Sequence, residues 1–311
     1  MAENRDVIII GAGPAGLGGA VYTGRALMKT TVLEKLVVGG QIIESYDVDN
    51  YPGFPEGITG PDLVERMVAH TRKFDVELVS EGAEDIKLDG PYKHVLTTGG
   101  KEYVAPIVIV ASGAYHRRLD VPGEKELSGK GVSYCGTCDG PFFRGKRLVV
   151  VGGGDAALTE VAFLSRFASS IKLLHRRDAF RAQAAYVNEA RKDPKIEFVL
   201  NTVLTEIRGE GKVQGVAARN VQTGEAFQIE CEGVFIFVGH DPNTGFLKTI
   251  LPQYAGGIIP VDFNMETSVK GVYAVGDVRV GSYRQVGTAI GDAITAAMHA
   301  ETRIKDLLGG G

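Results

Sequence analysis

The chain has 311 residues, of which 44% are hydrophobic and 23% charged, proportions of an ordinary globular protein with about two domains. Its formal net charge of −4 argues against nucleic acid as the main partner, and no apolar run reaches the roughly 18 residues of a membrane span. Glycine is the outlier, at 42 residues or about 13% against an average near 7%, so turns that bring the backbone close to something are expected. The N-terminal segment carries Glu3 and Asp6 and enters a strand-like run at once, which does not read as a secretion signal. Asp6-Val7-Ile8-Ile9-Ile10 predicts a strand buried on both faces, as in a parallel sheet. A helix over residues 14–28 and a strand at Thr31-Val32-Leu33 complete a βαβ unit. Ile107-Val108-Ile109-Val110-Ala111 reads as a further buried strand running into Ser112-Gly113. The βαβ pattern then recurs, with strand Leu148-Val149-Val150-Val151, helix 155–168 and strand Ile171-Lys172-Leu173-Leu174. Residues 233–238 and 272–275 are strand-like, and a last helix is expected over 288–307, before a Gly309-Gly310-Gly311 tail expected to fray. Turn residues cluster at Leu119-Asp120-Val121-Pro122-Gly123 and at Gly239-His240-Asp241-Pro242-Asn243, the candidate junctions.

Each βαβ unit opens with a glycine turn. Gly11-Ala12-Gly13-Pro14-Ala15-Gly16 is a GxGxxG between strand and helix, where glycines permit a tight turn and close approach to a diphosphate on the helix N-terminus. Glu34 ends the next strand, where an acid would meet a ribose diol. Gly152-Gly153-Gly154-Asp155-Ala156-Ala157 repeats the arrangement, with Ala157 at the third glycine position. His175 stands 23 residues after Gly152, as Glu34 stands 23 after Gly11, and it opens His175-Arg176-Arg177 with Arg181 beyond. An acid favours a free ribose hydroxyl and arginines favour a 2′-phosphate, so the first site suits FAD or NAD and the second NADPH. A solvated basic helix start is the competing reading of the arginines.

Cys135-Gly136-Thr137-Cys138-Asp139 carries two thiols three residues apart, close enough on one helical turn for a disulfide to form. Zinc would require two further ligands at ordered spacing; Cys231 stands alone in a strand-like stretch and the six histidines form no such pair, so no metal is expected. Two inert buried cysteines remain an alternative from spacing alone. Asp139 could protonate a leaving thiolate or cap the next turn, and spacing does not choose. Three cysteines with one CxxC suit a reducing compartment, hence a soluble, cytoplasmic protein.

Together these segments resemble the low-molecular-weight, bacterial-type thioredoxin reductases over nearly the whole chain. In that resemblance Gly11, Gly13, Pro14, Ala15 and Gly16 form the FAD diphosphate turn, with Glu34 beyond it. Gly39-Gly40-Gln41 and Asn50-Tyr51-Pro52-Gly53 match flavin-proximal loops, and Ser112-Gly113 a stretch that usually carries threonine. Gly276, Asp277, Arg284, Gln285 and Val286 match the second FAD segment; Asp277 would bond the ribitol-phosphate region and the last helix would direct its positive end at the flavin. Gly152, Gly154, Asp155, Ala156, His175, Arg176, Arg177 and Arg181 match the NADPH motifs, although Asp155-Ala156-Ala157 departs from the more usual polar form of that turn. Cys135 and Cys138 match the redox disulfide and Asp139 its proton donor. The resemblance implies an α/β fold of two Rossmann-like dinucleotide-binding domains, the second inserted in the first. FAD would be held by residues 1–117 and 244–311, and NADPH by 118–243, which also carry the CxxC. It implies a homodimer that passes electrons from NADPH through FAD and Cys135–Cys138 to thioredoxin. Phe142-Phe143 would be the apolar pocket for thioredoxin, rimmed by Lys130 and Arg144, with core burial as the other reading of the two rings. A dithiol oxidase on the same scaffold would lack the basic cluster and the aspartate after the CxxC; both are present.

Overall fold

A computed structural model describes residues 2–45, 48–247, 250–251 and 257–308; the Gly309-Gly310-Gly311 tail lies outside them. The chain forms two compact units, Met1–Tyr115 with Asp241–Gly311 as unit 1 and His116–His240 as unit 2. Unit 1 begins with β1 (Glu3–Asn4), β2 (Val7–Ile10), α1 (Pro14–Arg25), β3 (Thr30–Leu33), α2 (Gly60–Arg72) and β4 (Glu77–Val79). It continues through β5 (Ala83–Asp89), β6 (Tyr92–Thr97), β7 (Glu102–Ala105) and β8 (Ile107–Val110) to the crossing strand β9 (Ala114–His116). Unit 2 contributes β10 (Val132–Ser133), α3 (Gly136–Asp139), β11 (Arg147–Gly152), α4 (Asp155–Leu164), β12 (Ser170–Leu174), α5 (Ala184–Lys192) and β13 (Ile196–Val199). Then come β14 (Thr202–Arg208), β15 (Gly215–Asn220), β16 (Ala226–Glu230) and β17 (Gly233–Phe237), and the second crossing strand β18 (His240–Pro242). The chain completes unit 1 with β19 (Val272–Ala274) and α6 (Val286–Leu308).

Both units are built on a five-stranded parallel sheet, in the order β19-β8-β2-β3-β4 in unit 1 and β10-β17-β11-β12-β13 in unit 2. In each, successive strands run outward to one side of the first βαβ strand, while its other side is taken by a later strand (β8 or β17) followed by an edge strand, the late β19 in unit 1 and the early β10 in unit 2. The order therefore reverses between β2 and β8 and between β11 and β17, and ligands of open α/β sheets bind beyond the strand ends at such switch points. The β2 and β8 side chains are buried on both faces, which is why they read as unbroken apolar runs.

Helices α1 and α6 pack closely because their facing residues are small. Gly19 has room for a Cβ only 3.5 Å from that of Ala293, and a Cβ on Gly18 would come within 3.1 Å of Ile290. Ala289, Ala293, Ala296 and Ala300 are buried along the same helix.

Several boundaries differ from expectation. Helix α1 ends at Arg25 rather than residue 28, because Leu27 takes a left-handed conformation with φ +59° and its N–H closes a turn on Gly24. Helix α4 ends at Leu164, beyond which the chain tightens into a turn, while α6 begins two residues earlier than expected. The antiparallel strands β5–β7 and β14–β16 form additional sheets, in which β6 and β14 bury alternate residues. Cys231 is not in a strand: it lies in the link between β16 and β17, buried, and burial pushes its thiol up to about 12.

Candidate dinucleotide sites and redox disulfide

In unit 1 the glycine turn fills the switch point. Gly11 has φ +106°, and a Cβ there would stand 2.4 Å from the Ala111 carbonyl oxygen at the end of β8. A Cβ on Gly16 would stand 1.8 Å from the Gly11 oxygen, so neither position tolerates a side chain. Gly13 is the N-cap of α1 with Pro14 in its first turn, and no side chain among the described residues caps it. The first N–H groups of α1 are thus open to an anion. Glu34, at the end of β3, accepts from the Ala12 N–H at 2.8 Å and the Leu36 N–H at 2.9 Å, which holds its carboxylate beside the turn. The Gly39 N–H donates to the Ala12 oxygen at 2.8 Å, and Gly40, with φ +62°, faces Gly13 so closely that a Cβ would lie 3.2 Å from its Cα.

The remaining expected residues of this site come from distant segments. The Gln41 side-chain amide donates to the Ala114 oxygen, and Asn50 Nδ2 donates to Gln285 Oε1 at 3.3 Å. Gly113 has φ +65°. Beside it, Ser112 and Asn243 bond reciprocally: Ser112 Oγ to the Asn243 oxygen at 2.7 Å, and Asn243 Nδ2 to the Ser112 oxygen at 2.9 Å. In sequence Asn243 is only part of a turn-rich junction, and nothing local marks this clamp. Gly276, with φ +72°, sits 3.2 Å, measured from an added Cβ, from the Ala15 side chain in the first turn of α1. Asp277 follows it, half-buried, with Ser282 Oγ donating at a long 3.4 Å. Burial raises the Asp277 carboxyl above its ordinary range and Asp292 adds to this, while Arg284 and Ser282 oppose it. Arg284 has φ +54°, and Val286 is the first residue of α6. Glycine cradle, uncapped helix, strand-end carboxylate and half-buried aspartate fit a flavin dinucleotide, whose diphosphate, ribose diol and ribityl hydroxyls are their chemical complements.

Unit 2 repeats the plan. A Cβ on Gly152 would stand 2.7 Å from the Phe237 oxygen at the end of β17, the counterpart of Gly11 against Ala111. Gly154 is the N-cap of α4, without a side-chain cap among the described residues. Asp155 opens α4 and accepts from the Gln183 N–H at 2.7 Å and its Nε2 at 3.2 Å, with Ala156 next to it. His175 is 7% exposed and its ring lies 2.2 Å from where a Cβ on Gly153 would be. The ring stacks on Phe180 and pairs through Nε2 with the Ala179 oxygen at 3.1 Å. Burial lowers its pKa and Arg176 and Arg177 add to this, against backbone hydrogen bonds to Ala179 and Gly152, and the net lowering favours the neutral ring. His175 therefore acts as a wedge between the glycine turn and the arginine loop. Arg176, Arg177 and Arg181 are exposed, and the Arg181 N–H donates to the Gly153 oxygen at 2.9 Å. Three guanidinium groups on a loop hung from the turn fit a phosphorylated ribose. The roles of Gln183 and Phe180 have no signal in spacing.

The same unit carries a Cys135–Cys138 disulfide with Cα atoms 5.3 Å apart. Cys135 is the N-cap of the single-turn helix α3, and its Sγ accepts from the Cys138 N–H at 3.1 Å. Ser133 Oγ accepts from the Cys135 N–H at 3.1 Å and so fixes the entry to the turn. A Cβ on Gly136 would overlap the Glu160 carboxylate, so a side chain there would have to displace that carboxylate from the turn. Asp139 closes α3, and its side chain does not cap the next turn. The two phenylalanines part ways: Phe143 packs edge-on against Phe235 at 5.1 Å, whereas Phe142 is half exposed. Lys130 and Arg144 are exposed, the latter over the Phe167 ring. Among the described residues no cluster of His, Cys, Asp or Glu is placed to hold a metal, and no helix is long and apolar enough to cross a membrane.

The pyridine nucleotide-disulphide oxidoreductase family model matches residues 5–293. A thioredoxin reductase of Bacillus subtilis (strain 168) is 45% identical over 310 residues, 99% of this chain and 98% of the relative. A bifunctional thioredoxin reductase/thioredoxin of Mycobacterium leprae (strain TN) is 43% identical over 297 residues, 95% of this chain and 65% of the longer protein. The crystal structure of thioredoxin reductase from Streptococcus pyogenes MGAS5005 has a TM-score of 0.94 and 40% identity, covering 98% of this chain and 100% of that one. The chain, which carries two switch-point glycine turns and a CxxC disulfide, belongs to the pyridine nucleotide-disulphide oxidoreductases, among their low-molecular-weight thioredoxin reductases.

Proposed function

We propose that the protein is an NADPH-dependent reductase of thioredoxin, holding FAD in unit 1 and NADPH in unit 2. The observation that carries this reading is the Cys135–Cys138 disulfide within the unit whose glycine turn is joined to an arginine loop. When bound, NADPH supplies a hydride and FAD a two-electron relay. Breaking the Cys135–Cys138 bond takes two electrons and leaves two sulfurs to be charged or protonated. The Cys138 N–H directed at Cys135 Sγ favours negative charge on that sulfur, which makes Cys135 the attacking thiolate. It attacks one sulfur of the target disulfide and expels the other as a thiolate, giving a mixed disulfide. Cys138 then attacks Cys135 Sγ, re-forming the internal bond and releasing the target as a dithiol. Asp139, next to Cys138 and not engaged as a cap, is the group to supply the proton a departing thiolate takes up. Glu34 orients a ribose diol, Asp277 a ribityl hydroxyl, and Arg176, Arg177 and Arg181 a 2′-phosphate. His175 serves by holding Gly153 and the arginine loop together. The half-exposed Phe142 is the apolar contact for thioredoxin, with Lys130 and Arg144 as its basic rim. A cytoplasmic homodimer completes the reading, since a dithiol of this kind operates in a reducing compartment.

Anaerobic titration with NADPH, followed by flavin absorbance, tests it. The FAD-loaded protein takes up about two electron pairs per subunit, one in the flavin and one in the dithiol, by the two-electron stoichiometry of each couple. Cys135→Ser/Cys138→Ser takes up one pair and does not reduce thioredoxin. Uptake of one pair by the unaltered protein places the cysteines outside the electron path and overturns the proposal.

A further inference from the structure

One buried ion pair of unit 1 has no task in this scheme, and the role assigned to it below rests on the reading of that unit as the FAD site. Asp292 lies in the second turn of α6 and is 8% exposed. It takes the Arg279 guanidinium at two points, Nε to Oδ2 at 2.6 Å and Nη2 to Oδ1 at 2.7 Å, and accepts the Gly276 N–H at 3.1 Å. Arg279 Nη1 continues to the Val280 oxygen at 2.9 Å. On the other side of the same turn Ile259 donates to the Val278 oxygen and accepts from the Val280 N–H, both at 2.9 Å. The turn Gly276–Val278 is thus gripped from two sides.

A buried ion pair is a poor source of stability, because an apolar pair of similar volume is often at least as stable. What this pair supplies is geometry. Asp277 has only a long side-chain hydrogen bond, from Ser282, among the described residues, so the direction of its carboxylate is set by the backbone of the turn. That backbone is fixed by Arg279, Gly276 and the carboxylate of Asp292, which arrives from α6, the helix whose first residue is Val286. One side chain therefore sets the turn and the helix start relative to each other.

We propose that Asp292 is a positioning residue for FAD: through Arg279 and the Gly276 N–H it holds the Gly276–Asp277 turn in the form that presents Asp277 to the cofactor. The test is the affinity of the FAD-free protein for FAD, followed by quenching of flavin fluorescence, with thermal unfolding of the FAD-free form measured alongside. Asp292→Ala raises Kd by about tenfold or more, the scale of losing one hydrogen bond to a charged group. Asp292→Asn, which keeps an acceptor for the Gly276 N–H, recovers part of that loss and serves as the reading variant where Asp292→Ala does not fold. Arg303→Gln removes the comparable ion pair with Glu266, eleven residues or roughly 16 Å further along the same helix; it lowers the unfolding temperature and leaves Kd within about twofold. Equal weakening by the Asp292 and Arg303 variants, or unchanged Kd in Asp292→Ala, or in Asp292→Asn where the alanine variant does not fold, overturns the proposal. Failure of the unaltered protein to bind FAD overturns instead the reading of unit 1 on which it rests.

Discussion

Asp277, proposed above to orient a ribityl hydroxyl, is a carboxylate held at a cost to the fold. Burial raises its folded-state pKa, with Asp292 adding to the effect and Arg284 and Ser282 working against it. The folded chain therefore holds this proton more tightly than the unfolded chain, whose carboxyl titrates at about 3.9. Stability falls as pH rises from that value through the raised one, and the whole cost persists at neutral pH. Asp277→Asn removes the buried charge, so the FAD-free variant melts above the unaltered protein at pH 7, with the gap closing toward pH 4. The same change weakens FAD binding by about tenfold, because a charge-assisted hydrogen bond becomes a neutral one. Melting curves of the FAD-free proteins across that pH range, with FAD titrations at pH 7, check both halves; a variant less stable at pH 7 contradicts the assignment of a buried charge. Residues of this kind divide by how far their partners lie. Gly11, Gly13 and Gly16 are legible in the sequence because their spacing within one turn is a local pattern, even though the crowding behind it is only partly local: Gly16 meets the Gly11 oxygen, whereas Gly11 meets Ala111. Asn243, Gln183 and Asp292 are not, because their partners stand 131, 28 and 13 to 16 residues away and no spacing rule joins them.

At the scale of elements, the parallel strands can be read from unbroken β-branched runs, since burial on both faces leaves no polar position. Strands such as β6, β14 and β15 cannot, because they bury only alternate positions and put residues such as His94, Arg208 and Arg219 on the open face. One such strand carries Lys93, 2% exposed, whose Nζ donates to the Pro91 and Pro106 oxygens at 3.0 and 2.7 Å. Its neighbours include Gly271, where a Cβ would stand 2.4 Å from Nζ, and α6. Burial lowers the Lys93 pKa to about 8, with Glu266 opposing and Arg303 assisting. Burial alone would raise Glu266, yet the Gly271 N–H and Arg303 outweigh it and hold that carboxyl below its ordinary range. Below about pH 8 the folded chain bears the full cost of a buried ammonium. Between that pH and the unfolded value near 10.4 the folded lysine is neutral while the unfolded one is charged, so stability rises with pH. Relative to Lys93→Met, the unaltered protein gains up to about 3 kcal/mol across this window, at about 1.36 kcal/mol for each pH step of one. Denaturant unfolding of both proteins from pH 7.5 to 10.5 measures the gain, and a pH-independent difference rules out a buried charged lysine.

For the molecule as a whole, the informative fact is that, among the described residues, each cluster of buried side chains belongs to one unit. Two clusters of buried side chains, one around Val7, Ile9 and Ala293 and one around Ile8, Val108 and Ile259, consist only of unit 1 residues. Two others, around Val149, Ile207 and Val234 and around Leu148, Val161 and Phe235, consist only of unit 2 residues. Unit 2 is continuous in sequence, whereas unit 1 needs its last segment: β19 completes the edge of its parallel sheet and α6 covers the Gly-rich face of α1. The two units therefore differ in what a cut does to them. A polypeptide of residues 116–240 contains both of its cores, its own sheet, the disulfide and the arginine loop, and a domain of this size folds alone with about 5–15 kcal/mol of stability. It is expected to unfold in one cooperative transition, to form the Cys135–Cys138 bond, and to bind NADPH in calorimetry within about threefold of the FAD-free whole chain, since every proposed contact lies inside it. A chain ending at residue 240 keeps that transition but leaves β8 and α1 without β19 and α6, so its unit 1 binds dye as exposed apolar surface does and takes up no FAD. Loss of NADPH binding from the excised unit 2 would mean that the nucleotide site borrows residues from outside 116–240, and the assignment of NADPH to that unit alone would fall.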